Sequence, residues 1–239
     1  MERGQIERGV QLLEKVRAQI AGTDWERRVD GTLMRTYYDH ELRDALRKAV
    51  ARWLAAHAQD WQAAYYRAVA LGLAGQPARA RAACDTFAAS LPRAPWFDGT
   101  EVARDLGTVL VHNCRGMLAL EAGEADSACA HFAAALKASR DASPGETWSL
   151  RLNHAKSLLL AGDPASALAQ TRAVLDVNPR RLQALSLEAR ALLAQGRRDE
   201  AREALARLRE ALAAADASVV EAFESAPHVR GLRAARPAP

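Results

Sequence analysis

Four stretches of this chain follow the same course from apolar to polar. LGLAGQPARARAAC from Leu71, LALEAGEADSACAHF from Leu118, LLLAGDPASALAQ from Leu158 and LLAQGRRDEAREAL from Leu192 each begin in an apolar run and reach a glycine. A polar turn follows, and an alanine stands five residues past the glycine, giving the pairs Gly75/Ala80, Gly123/Ala128, Gly162/Ala167 and Gly196/Ala201. No run rich in Val, Ile or Thr alternates with period two, so the pattern predicts helices and no strands. Each glycine is placed to end one helix, because it takes a left-handed backbone without a Cβ clash. A second small residue, Ala68, Gly116, Ala155 or Ala189, precedes each glycine by seven positions. Helices whose axes approach to about 8–10 Å need small side chains at the contact, so the eight small positions predict paired helix crossings.

The units recur along the chain. Gly162 and Gly196 are 34 residues apart, as are Ala167 and Ala201. Gly75 to Gly123 is 48 residues, which is the same period with a 14-residue insertion, and Gly123 to Gly162 is 39, the period plus five. Pro92 and Pro179 each lie seventeen residues after their glycine, where a second helix should stop. Spacing, glycine, paired small residues and terminal proline together resemble the tetratricopeptide repeat family, with repeats at 61–94, 109–142, 148–181 and 182–215. The tryptophan usual early in the first helix of that family is replaced by Ala64, His112, Arg151 and Leu185, while Trp61 and Trp148 stand three positions earlier.

The resemblance implies an all-α, right-handed solenoid of antiparallel helix pairs whose first helices line a concave groove. Ligand-facing positions carried over from the family fall on Tyr65 and Tyr66, on Asn113, Cys114 and Met117, on Asn153 and Lys156, and on Gln183, Ser186 and Arg190. Of these, Tyr65, Asn113, Asn153, Lys156 and Arg190 are the expected peptide-binding residues. Amide and cationic donors suit peptide carbonyls and carboxylates. Lys156 and Arg190 occupy equivalent positions 34 residues apart, a positive pair suited to an acidic group. The two-carboxylate clamp of chaperone-binding members has only Asn153 here, so that specificity is not expected.

Residues 1–60 read as an N-terminal helical cap. An amphipathic helix over 3–21 has Ile6, Val10, Leu12, Leu13, Val16 and Ile20 as its apolar stripe. Asp39 reads as the N-cap of a following helix through Leu42, Leu46, Val50, Trp53 and Leu54. Residues 216–239 read as a short C-terminal capping helix around Val219, Val220 and Phe223, ending in a frayed tail.

Composition narrows the function classes. The chain is 49% hydrophobic, 26% charged and carries a formal charge of +4, with acids interleaved among the arginines. That mixing describes a solvated helical surface and argues against a phosphate-tracking stripe, hence against nucleic acid. There is no secretion-type leader and no run of 18 apolar residues, so a cytoplasmic location and no membrane partner are expected. Nucleophile-elbow, Walker, metalloprotease and dinucleotide motifs are absent, so no catalytic site and no cofactor are expected. Cys84, Cys114 and Cys129 match no paired motif and read as small buried residues in a reducing compartment.

His112, Cys114, Cys129 and His131 have the donor types of a zinc set. Both pairs are spaced i,i+2 and point to opposite sides of a helix, which argues against a metal. Trp96 and Phe97 lie in the insertion, either as an anchor for a partner or folded down over helix ends. The reading is a non-enzymatic adaptor or scaffold whose groove holds a segment of another protein of bacterial type. The alternative is an accessory subunit that binds through its convex face or by self-association as a homo-oligomer.

Overall fold

Left-handed glycines set the helix ends. Gly75, Gly123, Gly162 and Gly196 have φ of 69°, 75°, 80° and 73°, and each separates two helices. The computed structural model describes residues 7–39, 42–58, 60–139 and 144–213, with 215, 217 and 220 besides. These residues form α1 (Glu7–Gln19), α2 (Asp24–Asp39), α3 (Arg43–Ala56), α4 (Ala63–Leu73), α5 (Pro77–Ser90), α6 (Glu101–Glu121), α7 (Ala125–Ala138), α8 (Pro144–Leu160), α9 (Pro164–Leu175), α10 (Leu182–Ala194) and α11 (Arg198–Ala213). A 3-10 turn at Leu91–Arg93 follows α5, and no strand occurs among the described residues. The fold is an all-α helical repeat in which consecutive helices pack as neighbours. The segment read as a C-terminal cap lies outside the described residues, apart from isolated positions.

Two units divide the chain, Val50–Ser166 on one hand and Met1–Ala49 with Ala167–Pro239 on the other. In the first, small residues mark the crossings. Ala68, Ala80, Ala128 and Ala155 are fully buried, and the buried Gly116 lies against the ring of Phe132. Phe132, Ala119, Ala128, Ala135 and Leu150 form one core cluster, with Val109, Met117, Leu120 and Leu136 packed on it. A second cluster consists of Ala68, Ala80, Ala83, Cys84, Cys114 and Leu118, with Tyr65 and Leu71 beside it.

The insertion forms the connection from α5 to α6. Trp96 packs edge-on against Trp61 at 5.5 Å between centroids and against Phe97 at 5.9 Å. Trp61 stacks on the buried Phe87 at 6.2 Å. The aromatic pair therefore folds down on the fold. Thr100 caps α6 by accepting from the Ala103 amide at 3.3 Å, and Asp98 accepts from the Thr100 amide and hydroxyl at 3.0 and 2.7 Å. Despite Gly107, α6 continues unbroken to Glu121.

The other unit contains a helix that the sequence pattern passes over. Between the expected N-terminal helix and the helix through Trp53 stands α2, which buries Asp30, Leu33, Met34 and Tyr37 along one face. Its centre reads Asp30-Gly31-Thr32, a local turn signal that tertiary packing overrides. Asp39 is the last residue of α2, so the N-cap reading is corrected. The Arg17 Nε on α1 donates to the buried Asp30 carboxylate at 2.9 Å and ties α1 to α2. In the same unit Ala167, Ala189 and Ala201 are fully buried, and the buried Glu188 of α10 pairs with Arg172 of α9 and Arg207 of α11.

Two glycines on α6 give opposite expectations. A Cβ at Gly116 would lie 2.9–3.1 Å from three atoms of the buried Phe132 ring. Gly116→Ala should destabilise by about 1–3 kcal/mol through overpacking. A Cβ at Gly107 would meet Leu91 and Phe97 at 3.7 and 3.8 Å, which is ordinary contact. Gly107→Ala should stabilise by about 0.4–1 kcal/mol. Urea melts of the two variants check the contrast, and shifts of the same sign would contradict the packing described. In the other unit the fully buried Ala201 makes the same argument. Ala201→Leu should cost about 1–3 kcal/mol, and an unchanged melt would reject its place at a crossing.

Candidate functional site

Along α6 one face carries Val102, Leu106, Val109, Asn113 and Met117, spaced i, i+4, i+7, i+11 and i+15. Helical geometry places these side chains in one stripe. The adjacent side of α6 is buried at Ala103, Gly107, Cys114 and Leu118. The stripe is open at its start, with Val102 78% and Leu106 46% exposed, and half-buried at Val109, Asn113 and Met117.

At its closed end the stripe meets α4. The Asn113 Nδ2 donates to the Tyr65 hydroxyl at 3.4 Å, and that hydroxyl donates to the Met117 sulfur at 3.8 Å. Tyr65 is held from behind by Phe87 at 5.4 Å and from the side by Tyr66 at 5.3 Å between centroids. An apolar strip thus ends in a phenol, an amide and a thioether, all half-buried. Such a surface offers adaptable contact area with a few directional polar groups and has no nucleophile–base pair.

The other expected positions are placed differently. Asn153 and Lys156 are on α8 of the same unit, where Asn153 is only 3% exposed and Lys156 is half-buried. Asn153 is therefore a core residue in this state. Arg190 belongs to α10 in the other unit, is half-buried, and has its guanidinium pKa lowered by burial. Gln183 and Ser186, also expected to face a ligand, are covered, as is most of α10. Val102 and Leu106 were outside the expected set, because the repeat register begins at 109 and assigns them to the insertion. Their spacing relative to Asn113 and Met117 is the signal that finds them.

His112 and His131 come together from α6 and α7, with Nδ1 atoms 3.1 Å apart. Cys114 forms a disulfide with Cys84, which corrects the reading of these two cysteines as reduced thiols and removes Cys114 from the His/Cys set. Cys129 is free. Among the described residues no group of three or more His, Cys, Asp or Glu is placed to hold a metal. Burial, and then the Arg115 charge, pushes His112 below its ordinary value. For His131 burial again leads, followed by His112 and Arg115.

Residues 158–226 match the family model of the tetratricopeptide repeat. Over that span the repeat is of the tetratricopeptide type, within an all-α helical-repeat chain. No curated protein matches its sequence. The matched span takes in α9, α10 and α11, where the 34-residue spacing is undisturbed. Tetratricopeptide proteins act in general as adaptors between proteins. No helix among the described residues of this one is long and apolar enough to cross a membrane.

The histidine pair, together with His154, should make stability depend on pH. Each imidazole has a folded pKa below its reference of 6.5, so protons bind the unfolded chain more readily. The stability this contributes is complete above the reference value and is lost as pH falls through the folded values. Thermal melts from about pH 7.5 down to about pH 5 should show a falling midpoint. His112→Leu with His131→Leu should flatten that fall, and an equally steep profile in the double variant would contradict the assignment.

Proposed function

We propose that this tetratricopeptide-type protein is a non-enzymatic adaptor that holds a segment of another protein against the wall formed by α4 and α6. The exposed stripe of Val102 and Leu106 leading to Tyr65, Asn113 and Met117 carries this reading. An exposed apolar line of this kind is a surface for a partner's apolar side chains. In repeats of this family first helices face the ligand, and α4 and α6 are the first helices of their pairs. The covered face of α10 turns attention to this wall within 50–166. Lys156, half-buried on α8 of the same unit, is the proposed donor for an acidic group on the segment. Asn153 is proposed to support α8 from within.

The test begins with a partner captured from native lysate, identified by mass spectrometry and titrated by calorimetry. Val102→Asp with Leu106→Asp should weaken binding at least about tenfold, because both side chains would set a charge in the apolar contact. The melt should stay nearly unchanged, since both residues face outward. Lys156→Ala should weaken binding of an acidic segment. Arg202→Glu on the exposed side of α11 should leave affinity unaltered. If only Arg202→Glu abolishes binding, or the protein proves to self-associate through that side, the accessory-subunit reading takes the place of the wall.

A further inference from the structure

The core behind the proposed wall is built from small side chains and crossed by one covalent bond. Where α4, α5 and α6 meet, the buried cluster is Ala68, Ala80, Ala83, Cys84, Cys114 and Leu118. Leu118 is the one large aliphatic side chain among these six. Small side chains let the helices approach closely but remove little apolar area from water. The neighbouring cluster around Phe132 and Leu150 has no such deficit. Cys84 on α5 and Cys114 on α6 supply the missing tie, joined across 30 residues with their Cα atoms 6.2 Å apart.

The position of this bond relates it to the wall. Cys114 directly follows Asn113 and lies three residues before Met117, while Tyr65 packs on the cluster that contains both sulfurs. Ahead of Cys114, the first half of α6 is buried only at Ala103 and Gly107. The chain before it is the connection 91–100, a 3-10 turn and an extended stretch whose Leu91 and Phe97 approach α6 at Gly107. Segments with few buried apolar contacts open at low free energy. The polar ties Arg115 to Asp85 and Arg81 to Glu124, each at 2.8 Å, are exposed and of small worth.

We propose that Cys84–Cys114 is a thiol-responsive latch on the α4–α6 wall. This rests on the wall being the binding surface. When the bond is formed, α6 is fixed on α5 and the stripe from Val102 to Met117 is presented in one register. Two equivalents of a small thiol of the glutathione class release it. The first thiolate attacks one sulfur to give a mixed disulfide and one protein thiolate. The second attacks the mixed disulfide, leaving two protein thiols and one oxidised small-molecule disulfide, with two electrons passed to the protein. The reverse exchange closes the latch. Cys129, on α7, takes no part.

The experiment uses the full chain and no ligand. Peptide mapping without reductant should show Cys84 joined to Cys114 and Cys129 free. Equilibration in glutathione buffers of graded ratio, followed by maleimide labelling, should give a reversible two-thiol transition. Amide exchange over 102–113 should rise at least about tenfold in the reduced protein, while α7 and α11 stay within about twofold. Cys84→Ala with Cys114→Ala should exchange like the reduced parent even in oxidising buffer. The latch is overturned if the map shows no such bond, if exchange over 102–113 is the same in both states, or if reduction unfolds the whole chain. It is also overturned if the double variant matches the oxidised parent. None of these outcomes depends on a partner, so a failed latch and a failed wall, the latter read from Val102 and Leu106, are told apart.

Discussion

Helix axes in this protein come together on alanine and glycine, and the rest of the structure follows from that close approach. Seven alanines at the repeat crossings are fully buried, and the eighth small position, Gly116, admits the Phe132 ring where any Cβ would collide with it. Close packing of this kind gains dispersion energy from backbone contact while burying little side-chain surface. Cohesion must then come from between the crossings. It comes from Phe132 and Leu150, from the aromatic group of Trp61, Phe87 and Trp96, and from the disulfide.

Charge plays a narrower part. Among the described residues the two carboxylates buried most deeply, Asp30 and Glu188, each face arginine from a neighbouring helix. Such pairs offset their own desolvation and fix which helix lies beside which. The many exposed pairs, such as Arg202 with Asp199, add solubility and little stability. This division explains how a chain with +4 formal charge and interleaved acids carries no broad patch of one sign in its sequence.

The repeat was legible in the sequence because its physics is local. A left-handed glycine and two small residues at fixed offsets are requirements that a chain must write at set positions, as at Gly162, Ala155 and Ala167. What was not legible depended on distant partners. The helix through Asp30-Gly31 carries a turn signal of its own and becomes helical against surroundings that its sequence does not name. Cys84 and Cys114 stand 30 residues apart, and only the crossing of α5 and α6 brings their sulfurs together. Asn153 occupies a ligand position by register and a core position by packing, a distinction that spacing alone does not contain. Val102 and Leu106 were hidden for the opposite reason, since a strict 34-residue frame leaves them out.

That exclusion has an evolutionary side. The first two turns of α6 are additions to the repeat, capped by Thr100 and Asp98 and seated on two small residues, Ala103 and Gly107. Their outward positions, Val102 and Leu106, are 78% and 46% exposed. Substitutions at 102 and 106 are therefore free of the packing constraint that holds Gly116 or Ala128 in place. This short extension can thus vary while the repeat scaffold stays the same.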